Sequence, residues 1–196
     1  MTDVVIIRPK SDPVETTLSM WADLLFPPGT GQPGVAVVQD LIGPKATPSA
    51  VQGTVGAADV ILFFGHGTET SLGIPTLLDK SSFSARSNQV VIAIACSSSD
   101  DLGPSIVVQN GAAAYLGFTE PLFVYNASPG ILGFQIARRL TDYLANAQPL
   151  WQTRDGLEAD FKLIEQLYRT GPRATHPDAP LIWMGIRMNW RGLALD

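Results

Sequence analysis

Short apolar runs alternate with amphipathic stretches along this chain, and that alternation predicts its elements. Val4 to Ile7 is a β-branched run closed by Arg8, Pro9 and Lys10, and it reads as a first strand. Asp12, Pro13 and Glu15 follow as an N-cap, a proline at the first helical position and a capping-box acid. Val14, Leu18, Trp21 and Leu25 then recur at helical spacing until Pro27-Pro28-Gly29 stops the helix. Gly34 to Val38 is a second strand-like run, ending at Gln39 and Asp40. Thr47-Pro48 opens a short helix carrying Val51 and Val55, which Gly53 weakens.

Val60 to Phe64, Val90 to Ala95 and Ala112 to Leu116 are continuously apolar, as strands buried on both faces must be. Leu102 to Asn110 reads as a helix stopped by Gly111. Ser128-Pro129 caps the longest helix, which runs to about Ala147 with Ile131, Phe134, Leu140 and Leu144 inward. Another helix spans about Asp155 to Arg169 on Leu157, Phe161, Ile164 and Tyr168. Leu181 to Met188 reads as a last strand, and the polar stretches Ser81 to Gln89 and Gly171 to Pro180 read as surface loops. Strands alternating with helices, without Asn-Gly hairpin signals, predict an α/β fold with a mainly parallel central sheet of about six strands flanked by helices.

Length and composition narrow the function classes. The 196 residues suit a single domain, 1–196, and 45% hydrophobic against 16% charged residues supports a sizeable core. A net charge of −5 and a pI near 4.9 argue against a nucleic-acid partner, which wants a basic face. The first residues, MTDVVIIRPK, hold an acid at Asp3 and no basic stretch ahead of a long apolar core, so no signal peptide is expected. The apolar runs are too short to span a bilayer, and no membrane partner is expected. A single cysteine excludes an internal disulfide framework and suits a reducing cytoplasm.

Ligands of open parallel sheets bind outside the carboxyl ends of the strands. Gly65-His66-Gly67 lies just past one buried strand, and Cys96 lies just past the next. If the two strands are neighbours, the imidazole and the thiol leave the same sheet edge. Only a thiolate attacks well, and an adjacent imidazole can take the thiol proton and later protonate a leaving amine. Gly67 permits close backbone approach, and its N–H could join that of Cys96 in an oxyanion hole. The helix after Ser98-Ser99-Asp100 is expected to point its positive end at this edge. Taken singly, a lone cysteine is ordinarily a small buried hydrophobe and a Gly-His-Gly ordinarily a turn. The conjunction is what suggests chemistry, since the only cysteine and one of two histidines sit at corresponding strand ends. No P-loop, dinucleotide fingerprint or G-x-S-x-G elbow occurs, and two histidines with one cysteine are too few for a zinc site, so neither cofactor nor metal is expected. His176, in THPDAP, reads as a surface loop residue.

An apolar strand ending in His-Gly, followed by one ending in Ala-Cys, resembles the caspase, gingipain, clostripain and CHAT superfamily of cysteine peptidases. GHGTET at Gly65 to Thr70 resembles the gingipain-type histidine motif, and NGAAAYLGFTEPL at Asn110 to Leu122 resembles the strand after the cysteine helix in gingipain-like and CHAT-type domains. The resemblance implies a caspase-like three-layer sandwich and an endopeptidase that cleaves protein or peptide substrates through a thioester acyl-enzyme. It implies His66 as general base and acid, Cys96 as nucleophile, and the amides of Gly67 and Cys96 as oxyanion hole. Ile94 departs from the pattern, since caspases often carry a polar residue two positions before the cysteine; no long cleavable linker follows Cys96, so gingipain-like or CHAT-type is the nearer branch. For substrate preference, Arg8 stands where caspases carry an arginine that reads an acidic residue, whereas Asp40, Asp100 or Asp101 would favour a basic one; an ordinary solvated charge is the alternative for all four. A regulatory or defence setting rests on analogy alone, with room for a partner subunit that supplies activation or recognition. The rival readings are a catalytically inactive caspase-like interaction module, a flavodoxin-like binding domain with Cys96 in its core, and an amidotransferase-like hydrolase that would need His176.

Overall fold

The computed structural model describes residues 1–27, 32–83, 88–125 and 129–196. Pro28, Gly29 and Ser128, read above as a helix stop and a helix cap, lie outside the described residues, as do 84–87 of the first polar stretch. In chain order the elements are β1 (Thr2–Arg8), α1 (Pro13–Leu25), β2 (Val35–Ile42), a short 3-10 turn (Gly43–Lys45) and α2 (Pro48–Val55). Next come β3 (Val60–Phe64), β4 (Ser71–Leu72), β5 (Leu78–Asp79), β6 (Val90–Ile94), α3 (Leu102–Val108) and β7 (Ala114–Phe118). The chain finishes with α4 (Pro129–Asn146), α5 (Leu150–Arg169), α6 (Ala179–Gly192) and β8 (Leu193–Leu195).

Six strands form the central sheet in the order β2-β1-β3-β6-β7-β8. All pairs are parallel except β7 with β8. Strands β3 and β6 sit in the middle, and their residues are almost all buried, which is why each reads as an unbroken apolar run. Alternate side chains divide the core into two layers. Leu62, Phe64, Ile92 and Ile94 face Leu18 and Trp21 of α1 and the inner stripes of α4, α5 and α6. Ile61, Phe63, Val91 and Ala93 face Val51 and Val55 of α2, Leu102 and Ile106 of α3, and the β4–β5 hairpin. The protein is therefore an α/β three-layer sandwich around a mainly parallel sheet, consistent with the caspase-like architecture. Among the described residues, no helix is long and apolar enough to cross a membrane.

Local chemistry explains the well-placed elements. Asp12 accepts a hydrogen bond from Glu15 N–H at 2.9 Å, and Pro13 opens α1. Glu15 reaches back as a capping acid does, but to the N–H and O–H of Ser11 rather than to Asp12. Helix α5 buries Leu157, Phe161, Ile164 and Tyr168, as their spacing predicts, and begins five residues earlier than Asp155.

Four expectations need correction. Leu181 to Met188 is not a strand but lies inside α6; the last strand is β8. The buried face of α6 is Ile182, Gly185, Ile186, Asn189 and Gly192, so its helical period is carried partly by glycine and asparagine, which a count of apolar positions overlooks. Phe134 does not face inward but is 58% exposed, and α4 buries Leu132, Ile136, Leu140 and Leu144 instead. Strand β2 continues to Ile42, so Asp40 lies within the ladder opposite Ile6 rather than at a strand end. Strand β7 also falls two residues later than Ala112 to Leu116.

The rotation of α4 follows from its closest approach to α1. A Cβ on Gly133 would stand 2.2 Å from Cδ1 of Trp21, so only glycine lets the helix settle onto the indole. Gly133→Ala is expected to lower stability by about 1–3 kcal/mol through overpacking, read as a shift of the urea midpoint. An unchanged midpoint would show that the interface has slack.

Candidate active site

The register of β3 and β6 brings the two chemically interesting residues to one place. Val60 pairs with Val90 and Phe64 with Ile94, and the ladder's last bond runs from Gly65 N–H to Ile94 O at 3.3 Å. His66 and Cys96 therefore leave adjacent parallel strands at the same level, where strand spacing is about 4.8 Å. Both continue the alternation of Phe64 and Ile94 toward the α1 side; Cys96 packs against that core while staying partly exposed. The burial that a flavodoxin-like core cysteine would show is absent.

The imidazole is anchored by a residue that the sequence showed only as a helix cap. His66 Nε2 lies 2.5 Å from Oδ2 of Asp12, while Oδ1 of the same carboxylate takes the Glu15 N–H. These donors, the Glu15 amide first and the His66 ring second, hold the Asp12 carboxyl below its ordinary range. With Nε2–H given to the carboxylate, Nδ1 is the nitrogen left with a lone pair. Asp12 is distant in sequence from both glycine-flanked His66 and Cys96, so only the fold could assign it to them.

The thiol is held from the other side. Leu122 N–H donates to Cys96 Sγ at 3.3 Å, and among the described residues no hydrogen bond joins Sγ to His66. Leu122 belongs to a strap leaving β7, stitched to the cysteine turn by Ser97 N–H to Glu120 O at 3.1 Å and Ser99 N–H to Phe118 O at 3.0 Å. Helix α6 fixes the strap: the Asn189 side-chain amide accepts from Phe123 N–H at 2.7 Å and donates to Phe123 O at 3.0 Å. Gly185 and Gly192, on the same face, let the helix lie directly against Phe123 and Glu120.

Gly67 is the place where the chain after β3 comes closest to the cysteine turn. A Cβ there would stand 2.5 Å from Cys96 O, so the two backbones touch only because the side chain is missing. Gly67 and Leu72 face each other as a non-hydrogen-bonded pair, flanked by Gly73 N–H to His66 O and Thr68 N–H to Ser71 O. Among the described residues the N–H groups of Gly67 and Cys96 have no acceptor in the protein. Beside them lies a depression of about 300 Å³ lined by Gly67, Thr68, Glu69, Thr70 and Ser97. At the start of helix α3, Leu102 N–H bonds Glu69 O and Gly103 N–H bonds Ser98 O, so these leading donors are taken by the protein's own carbonyls.

The residues suggested for substrate charge are turned to one another. Arg8 is 8% exposed, and its Nε and Nη2 grip Asp40 at 2.8 and 2.5 Å. Its Nη1 reaches Ser19 O at 3.2 Å and the carboxylate of Asp23. A bidentate, doubly countered guanidinium has no face left for a substrate carboxylate, and Asp40 spends both oxygens on it. Neither is free to read a substrate charge. Asp101 is engaged by Lys80 and Ser105 on the α3 side, and Asp100 is exposed. His176 lies in the turn before α6, where its Nδ1 accepts from Asp178 N–H at 3.2 Å. Among the described residues no three His, Cys, Asp or Glu side chains gather as a metal site.

No family model matches this sequence, and no curated protein matches it either. What the structure offers is the arrangement itself: a thiol, an anchored imidazole and, among the described residues, two amides without a protein acceptor at one sheet edge. The Arg8 cluster yields its own prediction. Asp40→Asn is expected to lower stability by about 1–2 kcal/mol, the charged hydrogen bonds being discounted for partial exposure, as read by urea denaturation.

Proposed function

We propose that this chain is a cysteine endopeptidase of the caspase, gingipain and CHAT type, acting on protein or peptide substrates. The observation that carries the reading is the in-register exit of His66 and Cys96 from β3 and β6, with the amides of Gly67 and Cys96 unpaired among the described residues. His66 takes the Sγ proton, and the thiolate attacks the scissile carbonyl. The two amides receive the oxyanion, and His66 returns the proton to the leaving amine. Water then hydrolyses the thioester, with His66 as base. A cytoplasmic setting suits the lone reduced thiol, and recognition or activation is left to a partner subunit.

One observation favours a second reading, an inactive caspase-like module. Sγ is engaged by Leu122 N–H and not by His66. An amide donor also stabilises a thiolate, so the same contact is compatible with a resting nucleophile.

Labelling with peptidyl acyloxymethyl ketones separates the two. The set varies aspartate, arginine, asparagine and leucine before the warhead. Under the peptidase reading Cys96 labels far faster than a free thiol, and His66→Ala slows it by about 10²–10⁴-fold. A native Cys96 that labels only after denaturation leaves the inactive module standing.

A further inference from the structure

We infer that Asp12 is the positioning residue of the site, holding the His66 ring by one carboxylate oxygen while the other caps α1. This inference rests on the peptidase reading above and adds a third member to it. The cap requires only Oδ1, which accepts from Glu15 N–H; Oδ2 is spent on His66 Nε2 at 2.5 Å. The seat of the carboxylate is itself built. Glu15, fully buried, accepts from Ser11 N–H at 2.8 Å and Ser11 O–H at 2.7 Å, and Pro13 fixes the first helical residue. Ser11 and Asp12 are thus locked from the helix side, and the carboxylate has little freedom to swing from the ring.

The consequence is chemical as well as mechanical. Accepting Nε2–H selects the tautomer whose Nδ1 carries the lone pair, the form able to take a proton from Sγ. After that transfer sulfur holds the negative charge, the ring holds both protons, and the adjacent carboxylate stabilises the imidazolium without being protonated itself. Among the described residues, Asp12 is the one charged side chain hydrogen-bonded to the ring.

The experiment uses the full chain and one arginyl or aspartyl acyloxymethyl ketone, whichever labels wild type faster. Asp12→Ser keeps a good N-cap but cannot reach the imidazole, and Asp12→Asn keeps shape and cap while losing the charge. Both are expected to melt close to wild type, to label Cys96 at least about 100-fold more slowly, and to weaken the Nε2–H tautomer signature of His66 in ring nitrogen NMR. Native melting with wild-type labelling in either variant overturns the inference and leaves Asp12 a helix cap. If His66→Ala slows labelling but neither Asp12 variant does, the peptidase reading survives and only this inference falls. If wild type labels no faster than His66→Ala, both fall. Should Asp12→Ser unfold, Asp12→Asn alone carries the comparison.

Discussion

Two buried strands, β3 and β6, lie side by side, parallel and in register from Val60–Val90 to Phe64–Ile94. The geometry of the candidate site depends on that pairing. Because side chains alternate strictly along a strand, a slip of one residue would send either His66 or Cys96 to the opposite layer. The register is held by burial on both faces: Ile61, Phe63, Val91 and Ala93 fill one layer, and Leu62, Phe64, Ile92 and Ile94 the other. The apolar core thus does the positioning, and the polar residues occupy the first places where the chain escapes it.

Around that edge the protein fixes each group by hydrogen bonds from a different direction. The imidazole is held from the start of α1 through Asp12, and the thiol from the strap after β7 through Leu122 N–H. The strap would be a loose loop without α6, whose Asn189 bonds both the N–H and the carbonyl of Phe123. Asn189 is 1% exposed, so its amide is committed to this clamp rather than to solvent. Glycines at 67, 185 and 192 mark the places where backbones or rings approach too closely for any side chain.

Charge is handled internally near the other end of this edge. Arg8 emerges from β1 among the carboxylates of Asp40 and Asp23 and the carbonyl of Ser19, joining β1, β2 and α1. Such a cluster serves the packing of the edge strand, since breaking one partner leaves a largely buried charge uncompensated.

The order of strands and helices was largely legible in the sequence, because β-branched runs, the Asp12-Pro13 cap and the α5 stripe are local signals that burial reinforces. The placement of His66 and Cys96 at one sheet edge was legible as well, since corresponding positions past two buried strands need only those strands to be neighbours. Phe134 and α6 were misread for one reason: which face of a helix is buried depends on its neighbours, and here Trp21 against Gly133 and Phe123 against Gly185 decided it. Asp12 looked like a cap because its second oxygen acts across 54 residues of chain. Arg8 and Asp40 looked like free charges because their partner sits 32 residues away on the next strand. The sequence by itself determined the elements and the two residues at the sheet edge, because periodicity and strand ends are local properties. Only the tertiary structure decided which charges are spent, which amides are free and what holds the ring, because hydrogen-bond partners are chosen by proximity in space.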